Sequence, residues 1–256
     1  MGDALMLNFP VLLFLPTVLC LWLAARFGVA LRKRRPLADD QRDDFGVVQA
    51  ATLTLLALII GFTFSMATSR YDLRKNYEEE EANAIGTEYV RVGLLPAPDA
   101  ARIRAQLRRY TDLRMAFYTT RNSDELRQIN ADTTKLQNDM WDAVQGPALQ
   151  QPTAITALAV SGMNDVLNSQ GYTQAAWWNR IPTSAWGLLF VTAIACNVSI
   201  GYGARAGISR SLLLIVFPLV IGVSFLLIAD IDAPRGGLIR VRPQNLAALS
   251  DSMPRQ

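Results

Sequence analysis

Four long apolar segments, at 9–31, 45–68, 184–202 and 212–229, decide most of what this chain can become. A helix needs roughly 18 to 20 apolar residues to cross about 30 Å of hydrocarbon, and each segment is long enough. The last three carry no charge, whereas the first contains Arg26 and gives way to Arg32-Lys33-Arg34-Arg35. Of the 256 residues 51% are apolar and 18% charged, and the apolar ones are gathered into these blocks, which no ordinary soluble domain does. The pattern predicts an all-α, polytopic membrane protein with four transmembrane helices. A first pair lies within 1–68, a helical extramembrane bundle covers 69–183, a second pair lies within 184–232, and 233–256 is a C-terminal tail. The first segment reads as a retained helix rather than a secretory signal, because Asp3 and no basic residue precedes it and the basic run follows it.

Several kinds of chemistry drop out on composition. The chain has no histidine, which removes the usual proton shuttle and metal ligand. Cys20 and Cys196 both fall inside apolar segments and offer neither a disulfide framework nor a zinc site. The net charge of +3 comes from 25 basic and 22 acidic residues, with the excess in short stretches beside the membrane rather than on a folded face, so no nucleic-acid partner is predicted. Phosphate loops, paired-cysteine motifs and nucleophile elbows are absent from the sequence, which predicts no enzyme and no cofactor.

The middle block reads as helices. The second apolar segment meets no breaker before Pro96, so its helix extends into water as far as Leu94. Over 99–121, Ile103, Leu107, Tyr110, Leu113 and Phe117 recur at helical spacing. Ser123 with Asp124 and Glu125 is a helix start; Leu126, Ile129, Thr133, Leu136 and Met140 form the next stripe, which Gly146-Pro147 ends. A piece over 152–168 puts Ile155, Leu158, Gly162 and Val166 on one face. Trp177 and Trp178 sit where an interfacial aromatic belt belongs.

The second apolar segment mixes bulky residues with Thr52, Thr54, Gly61, Thr63, Ser65, Thr68 and Ser69, a set that marks either close helix packing or a hydrated path. Three strings go further: Gly61-Phe62-Thr63-Phe64-Ser65-Met66-Ala67 with Arg70-Tyr71; Glu81-Ala82-Asn83-Ala84-Ile85-Gly86-Thr87 with Tyr89 and Arg91; and the stretch from Asp230 and Asp232 through Pro234-Arg235-Gly236-Gly237 to Val241. Together they resemble the bestrophin-like family of bacterial membrane proteins, which is distantly similar to the bestrophin anion channels. The resemblance implies a homo-oligomer, a pentamer by analogy, that conducts inorganic anions along its second transmembrane helix.

Carried over position by position, the resemblance makes Thr54, Leu58 and Phe62 pore-lining; Arg70, grouped with them, ends the membrane segment and faces an aqueous vestibule, a counter-charge or a lipid headgroup. Thr54 replaces the bulky apolar residue usual in bestrophins, and a ring of Leu58 and Phe62 could gate by dewetting, unless both simply pack on neighbouring helices. Asn83, Thr87 and Arg91 lie four apart and form a polar stripe, which is either a solvated face or the lining of a vestibule in which Arg91 attracts anions. Asp230, Asp232 and Arg235 make a turn suited to a cation or to a salt bridge, and no metal is assigned.

The resemblance places the chain in the bacterial inner (cytoplasmic) membrane as a multi-pass protein in contact with lipid. Lys and Arg residues near the membrane are shared evenly between the two faces. The uncharged-to-basic step across the first helix favours an outer N-terminus and a periplasmic bundle, whereas the bestrophin analogy favours a cytoplasmic one. The alternative to a channel is a non-conducting, membrane-anchored sensor or interaction protein whose bundle binds a partner.

Overall fold

The computed structural model describes residues 10–204 and 213–254. Four of its helices are long and apolar enough to cross a membrane. No strand occurs among the described residues, and the fold is all-α. The helices are α1 (Pro10–Arg34), α2 (Arg42–Arg91), α3 (Ala97–Thr119), α4 (Ser123–Gln150), α5 (Ala154–Trp178), α6 (Thr183–Gly203), α7 (Leu213–Asp232) and α8 (Gln244–Ser252). Residues 205–212, with the loop arginines Arg205 and Arg210 and the start of the fourth apolar segment, lie outside the described residues, as does 1–9.

The chain divides into two compact units. One joins 1–70 to 180–240, and the other joins 71–179 to 241–256. In the first, α1 packs on α6 and α7. Apolar burial cannot drive that packing in lipid, so close backbone approach must. Glycines provide it. A Cβ at Gly28 would fall 2.0 Å from the Val198 carbonyl oxygen, one at Gly201 1.9 Å from that of Ala25, and one at Gly222 2.5 Å from the Val18 side chain. Trp186, Phe190 and Phe225 pack ring to ring, with centroids 5.1 to 6.4 Å apart.

In the second unit the expected stripes are buried: Ile103, Leu107, Tyr110 and Phe117 from α3, and Ile129, Thr133, Leu136 and Met140 from α4. Several local expectations need correction. Asn122, not Ser123, caps α4: it holds extended backbone and its side chain accepts from the Asp124 and Glu125 amides. Gly146-Pro147 does not end α4. The helix absorbs Pro147 and stops at Gln151, whose N–H still finds the Pro147 carbonyl.

α5 is longer than expected and rotated. A Thr153–Thr156 capping box opens it, and it passes through Gly171. Thr156, Ala159, Met163 and Val166 face inward, while Ile155 and Leu158 are about half exposed. Gly162, like Val166, is buried as the expected stripe had it, and its missing side chain makes room for Glu88 of α2. Trp177 is no belt residue; it is buried against Phe117 and Tyr118, at 5.0 and 5.4 Å. Trp178 alone of the pair is open. The expected C-terminal tail is in part folded: its last described stretch forms α8, within the second unit.

Candidate functional site

The candidate site follows α2, which is 50 residues long and belongs to both units. Within the first unit it buries Leu56, Thr63 and Ala67. The opposite side carries Thr54, Leu58 and Phe62, all exposed, Phe62 to 65%. Of the most apolar stretch of α2 only 6% is buried, against 22%, 33% and 50% for the other three spanning candidates. Gly61 reinforces the contrast with Gly28 and Gly201, since a Cβ there would meet nothing within 4 Å. Within one chain, then, Gly61 serves no close packing.

The threonine hydroxyls of this segment need no outside partner. Thr52, Thr54, Thr63 and Thr68 each donate to the carbonyl four residues back, at 2.7 to 3.0 Å. Arg70 is half-buried, and one of its terminal nitrogens is buried without a hydrogen bond.

Further along α2, Asn83 and Thr87 are exposed and line a groove of about 490 Å³ with Gly86, Val90 and, from α8, Asn245, Ala248, Leu249 and Ser252. Arg91 is turned away from them and pairs with Asp165 of α5 at 3.9 Å. The expected stripe of three is therefore open at two positions, with the third in an ion pair.

The inward face of this part of α2 is charged, which sequence reasoning missed. Arg74, Glu78, Glu81, Ile85 and Glu88, with Val92 just past the end of the helix, form one buried seam. Arg74 closes the end of α5 by donating to the Ala176 and Asn179 carbonyls, each at 3.2 Å. Glu78 accepts from the Asn245 and Leu246 amides, both at 2.9 Å, and from the Asn245 side chain at 2.6 Å.

Glu81, flagged by its motif alone, is fully buried and ion-paired with the equally buried Arg114. Tyr118 and Thr173 donate to it at 3.2 and 3.3 Å. Burial, the largest single influence, opposes the Arg114 charge, but the charge and hydrogen bond of Glu81 together with the Tyr110 and Tyr118 oxygens hold the guanidinium above its ordinary value. Burial and then the Glu81 charge push the phenols of Tyr110 and Tyr118 up. The 3-4-3-4 spacing of Glu78, Glu81, Ile85, Glu88 and Val92 is the signal that could have found this seam.

The turn after α7 is structural. Asp230 accepts from the Leu238 and Ile239 amides at 2.7 and 2.8 Å, and a Cβ at Gly237 would strike the Asp230 carbonyl at 2.4 Å. Asp232 accepts from the Ile181 amide at 3.2 Å and pairs with Arg180 at 3.6 Å. Carboxylates so occupied by amides have few lone pairs to offer a cation, and no metal-binding group of three or more such side chains occurs among the described residues.

The model of the bestrophin-like domain matches residues 11–246. The chain belongs to the bestrophin-like family. Its fold is that of a bacterial bestrophin homologue from Klebsiella pneumoniae, with a TM-score of 0.65 at 14% identity over 95% of this chain and 99% of that one. A point variant of that homologue aligns with a TM-score of 0.61 at 16% identity, over 95% and 94% of the two chains. None of the curated protein sequences matches the chain. This bestrophin-like chain is accordingly a helical membrane protein with four spanning helices.

Proposed function

We propose that the protein assembles as a homo-oligomer around α2, five copies by analogy with the bestrophins, and conducts inorganic anions through the bacterial inner membrane. The observation that carries this reading is the open membrane face of α2, with Thr54, Leu58 and Phe62 exposed in a helix otherwise made for lipid or for copies of itself. At about 100° per residue, Ser65, Ser69, Asn83 and Thr87 fall within the arc those three span, so one side of one helix passes from apolar to polar. A pore needs that change: a dewetting constriction in the hydrocarbon and hydrogen-bonding groups where ions enter. Arg91 lies about 20° beyond the arc and would raise local anion concentration, whereas Arg70 sits closer to the buried side of α2, beside Thr63. The bundle is placed in the periplasm, following the first helix and its basic run.

Single cysteines at Leu58 or Phe62, in a chain whose Cys20 and Cys196 are replaced, are expected to cross-link between copies in membranes, because residues facing a symmetry axis approach their own equivalents. No cross-link at either position would leave the non-conducting sensor as the better reading. A membrane-impermeant thiol reagent is expected to label a cysteine at Asn122 and spare one at Ala38 in cells with a permeabilised outer envelope. The reverse pattern would put the bundle in the cytoplasm.

A further inference from the structure

Glu88, in the extramembrane unit and outside the spanning segment, is fully buried, and neither of its carboxylate oxygens has a hydrogen-bond donor. Its sister acids on the seam are satisfied, Glu78 by amides and Glu81 by Arg114. Room for Glu88 is made by Gly162 of α5: a Cβ there would lie 1.9 Å from its Oε2. The guanidinium of Arg91, almost one turn on, reaches the same point, its Nη1 2.8 Å from that Cβ position, while pairing with Asp165. Arg91 on its own helix and Asp165 on α5 are the charged groups that act on Glu88. Arg104 of α3 is spent on Tyr89, donating to its carbonyl at 3.1 Å and lying on its ring.

An ionised carboxylate without donors is strongly disfavoured in such a setting, so the acid keeps its proton. Burial pushes Glu88 up to about 8, with Arg91 working the other way and Asp165 adding to burial. Once the proton leaves, the nearest available donor is Arg91. Asp165 is 60% exposed, so water replaces the guanidinium there at little cost.

We propose that Glu88 is a proton-operated switch: protonated, it lies neutral against Gly162 and leaves Arg91 to Asp165; ionised, it takes Arg91 and leaves the exposed Asp165 carboxylate unpaired, so that this end of α2 gains a negative charge that repels anions. The effect on conduction rests on the pore reading above. The exchange of Arg91 between two acids does not.

Two measurements on the full chain keep them apart. Thermal unfolding in detergent tests the switch alone. Glu88 is protonated in the fold over a range where the unfolded chain, with its carboxyl near 4.5, is ionised, so wild type loses stability as pH rises from there to about 8 and then levels off. Glu88→Gln, an isostere of the neutral acid, is expected to match wild type at the acidic end and to melt progressively higher above it. A gap that does not change with pH overturns the switch. The exposed change Asp165→Asn, which threatens no core, is expected to move the upper end of the wild-type loss to lower pH, and Arg91→Gln to higher pH. No movement in either counts equally against it.

Chloride efflux from liposomes tests the consequence. Wild type is expected to lose flux several-fold as pH rises through about 8, while Glu88→Gln keeps its neutral-pH flux throughout. The same pH-dependence in both overturns the switch and leaves the pore. A pH-dependent melting gap with no flux at any pH overturns the pore and leaves the switch.

Discussion

Glu78 accepts the backbone N–H of Leu246 at 2.9 Å, so a side chain on α2 caps the first turn of a helix 168 residues away in sequence. The amides of Asn245 and Leu246 would otherwise be orphaned, as the first amides of any helix are, and a carboxylate is also the right charge for a helix N-terminus. Pro243, which precedes α8, supplies no capping side chain of its own.

Removing that carboxylate frees α8. Glu78→Ala is expected to cost about 3 kcal/mol, since several charge-assisted hydrogen bonds at a buried site are lost together. Amide exchange at Asn245 and Leu246 accelerates, and a protease cuts near Leu249 before it cuts α3 or α4. Unchanged exchange at those two amides would show that α8 is held by Leu246 and Leu249 packing alone.

The buried pair of Glu81 and Arg114 makes a sharper energetic statement. Breaking a buried pair from one side strands the other charge, so Glu81→Gln or Arg114→Met alone is expected to destabilise by about 3–5 kcal/mol. Replacing both by apolar residues of similar volume removes both desolvation penalties and recovers most of the loss. Tm values for the two single variants and the double variant test this, and additive losses would refute it.

How much of this was legible beforehand depended on which residues carried it. Periodicity read the buried stripes of α3 and α4 correctly, because Ile103, Leu107 and Phe117, and Ile129, Leu136 and Met140, obey the rule that apolar residues face inward. The seam of α2 breaks that rule: Glu78, Glu81 and Glu88 occupy core positions, and acids are read as solvated unless their partners are known. Those partners, Asn245, Arg114 and Gly162, lie on other helices, where no local pattern points to them. The α5 stripe was half legible: Gly162 and Val166 are buried as their spacing suggested, while Ile155 and Leu158 are open and Thr156, Ala159 and Met163 turn inward in their place. The open face of α2 was legible in its residues. Its openness was not, because exposure depends on what the other helices cover.

The glycines separate packing within the chain from contacts beyond it. Gly28→Ala and Gly201→Ala place a methyl group on a carbonyl oxygen and are expected to cost about 1–3 kcal/mol and lower Tm even in isolated chains. Gly61→Ala meets nothing within the chain and is expected to leave the Tm of a detergent-dispersed monomer unchanged or raised, by up to the ~0.5–1 kcal/mol that alanine gains over glycine inside a helix. If copies meet at α2, the same change weakens only the oligomer, seen as a shift in its dissociation with dilution. A monomer destabilised by Gly61→Ala would mean that this face is not free.

Phe62 provides the most direct test of conduction. Its side chain is 65% exposed within one chain, against 39% for Phe64, which lies about 200° further round the helix. In a ring of α2 helices Phe62 forms the constriction and Phe64 turns away from it. Phe62→Ala then removes both the steric and the dewetting barrier and raises chloride or nitrate flux in liposomes well above that of Phe64→Ala. Were Phe62 instead packed in an interface, truncation would mainly loosen the assembly, by about 3–5 kcal/mol for a fully buried ring, and open nothing. Assembly measured beside flux distinguishes the two: intact oligomers of both variants that leak no more than empty liposomes would rule out a pore along α2.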